Sequence, residues 1–290
     1  MPSSPLHTPV LAWYADHARD LPWRSPDASP WGVLVSEIML QQTPVARVLP
    51  AYADWLARWP TPADLAADSP GEAVRRWGRL GYPRRALRLH EAATAMVARH
   101  GGQVPATYDD LLALPGVGSY TAAAVASFAF RRRHAVLDTN VRRVLERVVG
   151  GRELPPPAVT RAERDRADAL LPEDPVTAAT WSVAVMEVGA LVCTARRPRC
   201  AACPVADRCA WRAAGYPAYA GPPRRGQTYD GTDRQCRGRL LAVLRDAPGD
   251  VPAQRLDAAW PDAVQRARCL ASLVSDGLAL ATAEGTYALP

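Results

Sequence analysis

The 290-residue sequence contains no lysine: every one of its 35 Lys+Arg positions is an arginine. That absence excludes any chemistry that needs a lysine amine, a lysine Schiff base included. Long apolar runs are missing too. No stretch reaches the roughly eighteen apolar residues of a membrane span, and Met1–Pro9 lacks the basic-then-apolar order of a secretory signal. Neither a membrane nor export is expected, and the expected location is cytoplasmic. Alternating strand patterns are absent until the last few residues.

What is present is enough for a folded protein. The composition is 48% hydrophobic, and the length suits about two domains of roughly 100 to 200 residues each. A net charge of +6 and a pI near 9.2 favour a polyanionic partner, although a solvated basic surface gives the same values.

Helical periodicity and prolines dominate the body, which reads as all-α. Helices are expected at Trp31–Gln42, Pro44–Trp59, Ala63–Ala67, Pro70–Trp77, Arg84–His100, Tyr108–Leu112 and Ser119–Phe130. Further helices are expected at Thr139–Val149, Arg161–Leu171 and Ala178–Val192. Thr43-Pro44 offers an N-cap followed by a first-turn proline, and Thr107 opens Tyr108-Asp109-Asp110. No internal repeat is found. The stretch from Ala213 to Tyr229 is rich in glycine and proline and reads as a linker. Beyond it, helices are expected over Arg237–Arg245 and Asp262–Asp276, a short one over Ala253–Trp260, and a hairpin over Leu278–Leu289 turning at Glu284-Gly285. That order suggests a small winged helix.

Four of the six cysteines fall in one short stretch, Cys193-x6-Cys200-x2-Cys203-x5-Cys209, among Arg196, Arg197, Arg199 and Arg208. A disulfide framework belongs to small secreted chains, so the cluster signals metal. Zinc and an iron–sulfur cluster both accept four thiolates, and the spacing leaves the two open. Cys236 and Cys269 stand apart and read as buried apolar side chains.

Leu114-Pro115-Gly116-Val117-Gly118 lies between two helical segments. Gly116 and Gly118 would let backbone N–H groups approach a phosphate, with the positive end of the next helix behind them; an ordinary helical corner uses glycine as well. Two carboxylates stand out. Glu37, within Val33-Leu34-Val35-Ser36-Glu37-Ile38-Met39-Leu40, is expected to be at least partly buried, which would raise its pKa toward that of a general acid; pairing with an arginine is the plainer account. Asp138, in Leu137-Asp138-Thr139-Asn140, is expected to cap a helix and so to stay ionised, able to stabilise a sugar cation or to attack it.

Taken together these motifs resemble the endonuclease III superfamily of helix-hairpin-helix DNA glycosylases, and Ser36-Glu37-Ile38-Met39-Leu40-Gln41-Gln42-Thr43 resembles the catalytic segment of its MutY-type adenine glycosylase family. The likeness extends from about Leu21 to Arg212. It implies a structural [4Fe–4S] cluster on Cys193, Cys200, Cys203 and Cys209. It implies that Glu37 protonates the departing adenine and helps activate water, and that Asp138 stabilises the oxocarbenium-like sugar. Endonuclease III-like bifunctional enzymes carry a lysine where this chain has Tyr120; tyrosine there resembles the adenine branch, as does Asn140. Base flipping leaves a hole to fill. Gln42 and Tyr82 match the family's wedge beside the opposite base, and Trp23, Arg24 and Trp31 match its approach to the adenine pocket. Trp181-Ser182-Val183 departs from the pattern, lacking the amide or acid that relatives place there to contact adenine. The larger domain that reads 8-oxoguanine is likewise not expected beyond the linker.

The expected architecture is a helix-hairpin-helix glycosylase fold of two helical subdomains with an iron–sulfur loop, plus a small α+β winged-helix-like domain. The divisions are an N-terminal helix within 1–22 that packs with the iron–sulfur subdomain, a helical subdomain 23–135 with the hairpin, an iron–sulfur subdomain 136–212, a linker 213–229 and a C-terminal domain 230–290. The C-terminal part reads as a short basic module in which Arg234, Arg237, Arg239 and Arg245 serve phosphates and add salt-dependent affinity. The expected activity is monofunctional removal of adenine opposite 8-oxoguanine or guanine, by a monomer acting on mispaired double-stranded DNA at the nucleoid. Another mispaired-base specificity and a non-catalytic iron–sulfur winged-helix DNA-binding regulator are the alternatives.

Overall fold

The computed structural model describes residues 4–221 and 229–290, so part of the expected linker lies outside the described residues. Its helices, in chain order, are α1 (His7–His17), α2 (Pro30–Met39), α3 (Val45–Arg58), α4 (Pro62–Ala67), α5 (Pro70–Trp77), α6 (Arg84–His100), α7 (Tyr108–Leu112), α8 (Ser119–Phe128), α9 (Thr139–Val148), α10 (Arg161–Ala169), α11 (Pro175–Leu191), α12 (Ala210–Ala213), α13 (Asp233–Asp246), α14 (Ala253–Asp257) and α15 (Ala263–Ser275). The strands are β1 (Val251–Pro252), β2 (Leu280–Ala281) and β3 (Thr286–Ala288). Among the described residues no helix is long and apolar enough to cross a membrane.

Local chemistry sets most helix starts. Thr61, Ser69, Thr107, Thr160 and Asp174 each accept a backbone N–H from the third residue on, and Pro62, Pro70 and Pro175 occupy first-turn positions where no N–H is needed. The Asp174 cap starts α11 three residues before the expected Ala178. Two expectations fail at the end of α2. The helix stops at Met39 rather than Gln42, because Gln42 takes a left-handed backbone at φ 56°. Thr43 does not cap α3: Pro44 occupies the cap, and the Thr43 hydroxyl donates instead to the Gln41 and Leu80 carbonyls.

Packing divides the chain into two units, one of Met1–Val33, Ala106–Ala113 and Val117–Pro223, the other of Leu34–Pro105, Leu114–Gly116 and Arg224–Pro290. In the first, α1, α9 and α11 close on a core that includes Val10, Val144, Leu145, Trp181, Val185 and Val188, with α8 against α11. In the second, α4 and α5 pack on α6, and Trp55 meets Trp59 and Trp77 edge-to-face at 4.6 and 5.7 Å between ring centres.

The second unit also contains the C-terminal module. There α13 packs on α15, and β3 lies between β1 and β2, antiparallel to both. Leu280 faces Ala288 and Ala281 faces Tyr287 in register. The expected hairpin is thus present, turning through Gly285 at φ 73°. Helix, strand, two helices and a hairpin follow in the order of a winged helix. Its charge differs from expectation: residues 229–290 carry seven arginines against eight acidic residues, so the module is not basic.

Candidate active site and cysteine loop

In the first unit, Asp138 caps α9. Its Oδ1 accepts the Val141 N–H at 2.6 Å and its Oδ2 accepts from the Asn140 amide at 2.8 Å. The capping expectation holds. Burial pushes the Asp138 carboxyl above the ordinary carboxylate range, outweighing the bonds from Val141 and Asn140 and the charge of Arg143. Tyr120, in the first turn of α8, is half-buried against Ala123, Ala124 and Val136.

What lies behind Asn140 carries no local sequence signal. Arg143 donates to Asn140 Oδ1 at 2.8 Å, to the Gly189 carbonyl at 2.7 Å and to the Cys193 carbonyl at 2.7 Å. The planar guanidinium joins the Asp138–Asn140 pair to the end of α11 and the first cysteine through rigid hydrogen bonds. Gly189 makes room for this: a Cβ there would sit 2.6 Å from that of Asn140.

Glu187 is a second residue missed, although its signal was present as the single charge in the 17-residue α11. Fully buried, it accepts from Arg19 at 2.7 Å through both carboxylate oxygens and from Arg24 at 2.9 Å. Burial alone would raise its carboxyl, but the two guanidinium groups outweigh it and hold the pKa at about 2. Arg24 therefore commits one side of its guanidinium to Glu187, and its buried Nη1 has no partner among the described residues. Trp23 and Trp31 are buried.

The cysteine loop follows α11. Cys193, Cys200, Cys203 and Cys209 line one small cavity with Val144, Val192 and Trp211. Burial pushes the Cys193 thiol up against the opposing Arg147, and pushes Cys203 to about 11, so the bare pocket disfavours thiolate and a bound cation would reverse that preference. Arg147, buried under the loop, donates to Cys193 Sγ at 3.4 Å and to the Thr194 and Ala195 carbonyls, with its guanidinium 4.5 Å from the Trp211 ring centre. Hydrogen bonds to sulfur and a nearby positive charge suit an anionic thiolate cluster. Arg196, Arg197 and Arg208 are exposed, whereas Arg199 is drawn back onto the Leu191 carbonyl.

The hairpin turn separates its two glycines. Gly116 has φ 73° and lies against Arg88, where a Cβ would approach to 2.5 Å, so glycine is required. Gly118 has an ordinary backbone and caps α8, and nothing lies within 4 Å of the position its Cβ would take.

In the second unit, Glu37 is 6% exposed on α2, beside fully buried Ser36. Gln42 and Tyr82 are exposed, and the Tyr82 hydroxyl donates to Gln42 Oε1 at 2.7 Å. Both sit in the left-handed region, at φ 56° and 49°, a strained state for residues with side chains that concentrates at functional sites. Arg85 stacks on Tyr82 at 4.4 Å and donates to the Gln41 carbonyl.

Residues 35–167 match the family model of HhH-GPD superfamily base excision DNA repair proteins, and residues 193–209 match the iron-sulfur binding domain of endonuclease III. An adenine DNA glycosylase of Mycobacterium tuberculosis is 58% identical over 98% of this chain and 93% of its own, and one of Mycolicibacterium smegmatis is 54% identical over 97% and 94%. Among solved structures, a thermostable thymine-DNA glycosylase superposes with a TM-score of 0.64 at 28% identity, over 71% of this chain and 94% of that one. The fold and the cysteine loop place the chain in a defined class, helix-hairpin-helix base-excision repair proteins with an iron–sulfur loop. Within that class it belongs to the adenine DNA glycosylase family. Its cofactor is a [4Fe–4S] cluster, and the zinc alternative is set aside.

Proposed function

We propose that this protein excises adenine mispaired with 8-oxoguanine or guanine from double-stranded DNA by hydrolysis, without cutting the strand. Near-full-length likeness to adenine DNA glycosylases carries the proposal. Glu37 is the general acid that protonates the departing adenine and then helps activate water. Its side chain is buried on α2. Asp138 stabilises the positive sugar. Burial pushes its carboxyl up, so the cationic sugar favours the charged form when it develops, while the Val141 N–H and the Asn140 amide, itself held by Arg143, fix the oxygens in place. Tyr120 assists Asp138, and Trp23, Arg24 and Trp31 line the approach of the flipped base.

Amide groups at Gly116 and Gly118 and the start of α8 hold phosphate, and Gln42 and Tyr82 fill the hole left by the flipped nucleotide. Cys193, Cys200, Cys203 and Cys209 would hold the cluster, which would fix the loop after α11. A lysine-dependent lyase route is not expected, because the sequence has no lysine to form the imine. The enzyme works as a monomer in the cytoplasm, on the nucleoid.

Purified protein assayed on duplexes with single defined mispairs tests the proposal. Adenine release opposite 8-oxoguanine and guanine is expected, and Glu37→Gln should abolish release while duplex binding survives. Release of thymine or uracil instead would establish the other base specificity; binding without any release would establish a regulator.

A further inference from the structure

The C-terminal module was expected to hold DNA phosphates with arginines, and its structure spends those arginines elsewhere. Arg237 pairs with Asp276 at 2.6 Å and with Ser272, Arg266 pairs with Asp257 at 2.7 Å, and Arg268 pairs with Asp233 at 2.7 Å. Arg239 lies over the Trp260 ring and Arg234 over Tyr229. With a slight excess of acid over base, the module has no electrostatic footprint for a polyanion.

Arg245, at the end of α13, reaches into the body of the second unit. Its Nε donates to the Val74 carbonyl at 2.9 Å and its Nη1 to the Gly78 carbonyl at 2.5 Å. The guanidinium thus closes the C-terminal turn of α5, where unpaired carbonyls and the negative end of the helix dipole favour a cation. Arg75 of α5 returns the contact, donating to the Arg245 and Ala247 carbonyls. Arg84 at the start of α6 meets Asp276 at 3.3 Å.

Between α5 and α6 runs the loop that ends in Tyr82. Gly78 has φ 53° and ψ −125°, Gly81 has φ 85° and Tyr82 φ 49°, so its course depends on conformations that do not maintain themselves. Three of its carbonyls are anchored from three directions. Trp77 Nε1 donates to Gly81 at 2.8 Å, the Thr43 hydroxyl to Leu80 at 3.2 Å, and Arg245 to Gly78, where the loop leaves α5. Only the last anchor comes from the C-terminal module.

We propose that Arg245 is a positioning residue for the Gly78–Tyr82 loop, and that the C-terminal module sets the base-pair wedge instead of binding DNA. This rests on Gln42 and Tyr82 being the wedge, as proposed above. The module then controls discrimination of the opposite base without touching it.

The test uses full-length, cluster-loaded protein and a duplex with a non-hydrolysable 2′-fluoro adenosine opposite 8-oxoguanine. A 2-aminopurine beside the 8-oxoguanine brightens when the wedge unstacks it. Tyr82→Ala should abolish the rise. Arg245→Met, which keeps the length of the side chain and loses its donors, should cut both the rise and the single-turnover rate on the hydrolysable A:8-oxoG duplex about tenfold, a modest misplacement of an aligned group. Affinity for undamaged duplex and its salt dependence should not change. Arg75→Met, which breaks the same clasp from the other side, should act in the same direction, and Arg245→Lys should recover part of the loss. If Tyr82→Ala abolishes the rise while Arg245→Met and Arg75→Met match the parent protein, the bracing role is overturned. It is equally overturned if Arg245→Met weakens undamaged-duplex binding and lowers the salt slope by about one, the mark of a phosphate contact. If Tyr82→Ala leaves the rise intact, the wedge assignment itself fails.

Discussion

Replacing Glu187 by glutamine removes the charge on which Arg19 and Arg24 converge, and the structure sets the size of the effect. The carboxyl is held at about 2 against an ordinary value of 4.5. Each pKa unit corresponds to about 1.4 kcal/mol, so the pairing contributes about 3 kcal/mol to folding at neutral pH. Because the side chain is fully buried, solvent screening does not reduce this figure much. For a unit of this size the loss corresponds to a fall in Tm of roughly 6 to 12 °C. The folded-state pKa lies below the unfolded one, so the contribution is complete above pH 4.5 and is lost as pH falls toward 2. Urea unfolding of the parent protein and Glu187→Gln, measured side by side from pH 7 to pH 3, should show a gap of about 3 kcal/mol at pH 7 that narrows below pH 4.5. Equal stability at pH 7 together with parallel acid profiles would refute the reasoning, because it would mean that desolvation of the carboxylate cancels both arginines.

Gly189→Ala should be destabilising by about 1 to 3 kcal/mol, since the new methyl overlaps Asn140 and forces α9 from α11; it should also slow base release, and a thermal scan with a single-turnover assay showing no change in either would count against the close packing. Metal analysis should find about four irons per chain and no stoichiometric zinc. Cys203→Ser should bleach the visible absorbance of the cluster and lower solubility; a colourless parent protein with one zinc would overturn the assignment. Strand breaks should appear only after alkali, and borohydride should trap no adduct at an internal side chain; efficient spontaneous nicking with such an adduct would refute the non-lyase mechanism.

Local chemistry could be read from the sequence because it acts over a few residues. The spacing of Cys193, Cys200, Cys203 and Cys209 marks one metal loop, the Asp138 side chain caps the helix it begins, and Gly116 allows a turn closed to residues with a Cβ. The bounds of α5, α6 and α7 follow from their caps and periodicity in the same way. Long-range pairing followed other rules. Glu187 meets Arg19 across 168 residues, Arg143 joins Asn140 to Cys193, and Arg245 closes a helix 167 residues earlier in the chain. No local pattern marks an arginine as destined for a carbonyl instead of a phosphate; that depends on which surfaces come together and exclude water. Burial shifted the Asp138 carboxyl for the same reason. Capping favours the ion, and the surrounding protein, assembled from distant segments, disfavours it more. The sequence alone determined most of the helices, the metal loop and the absence of a lysine nucleophile. Tertiary packing decided how the arginines are used, because the cost of an unpaired buried charge is settled only when the chain has closed around it.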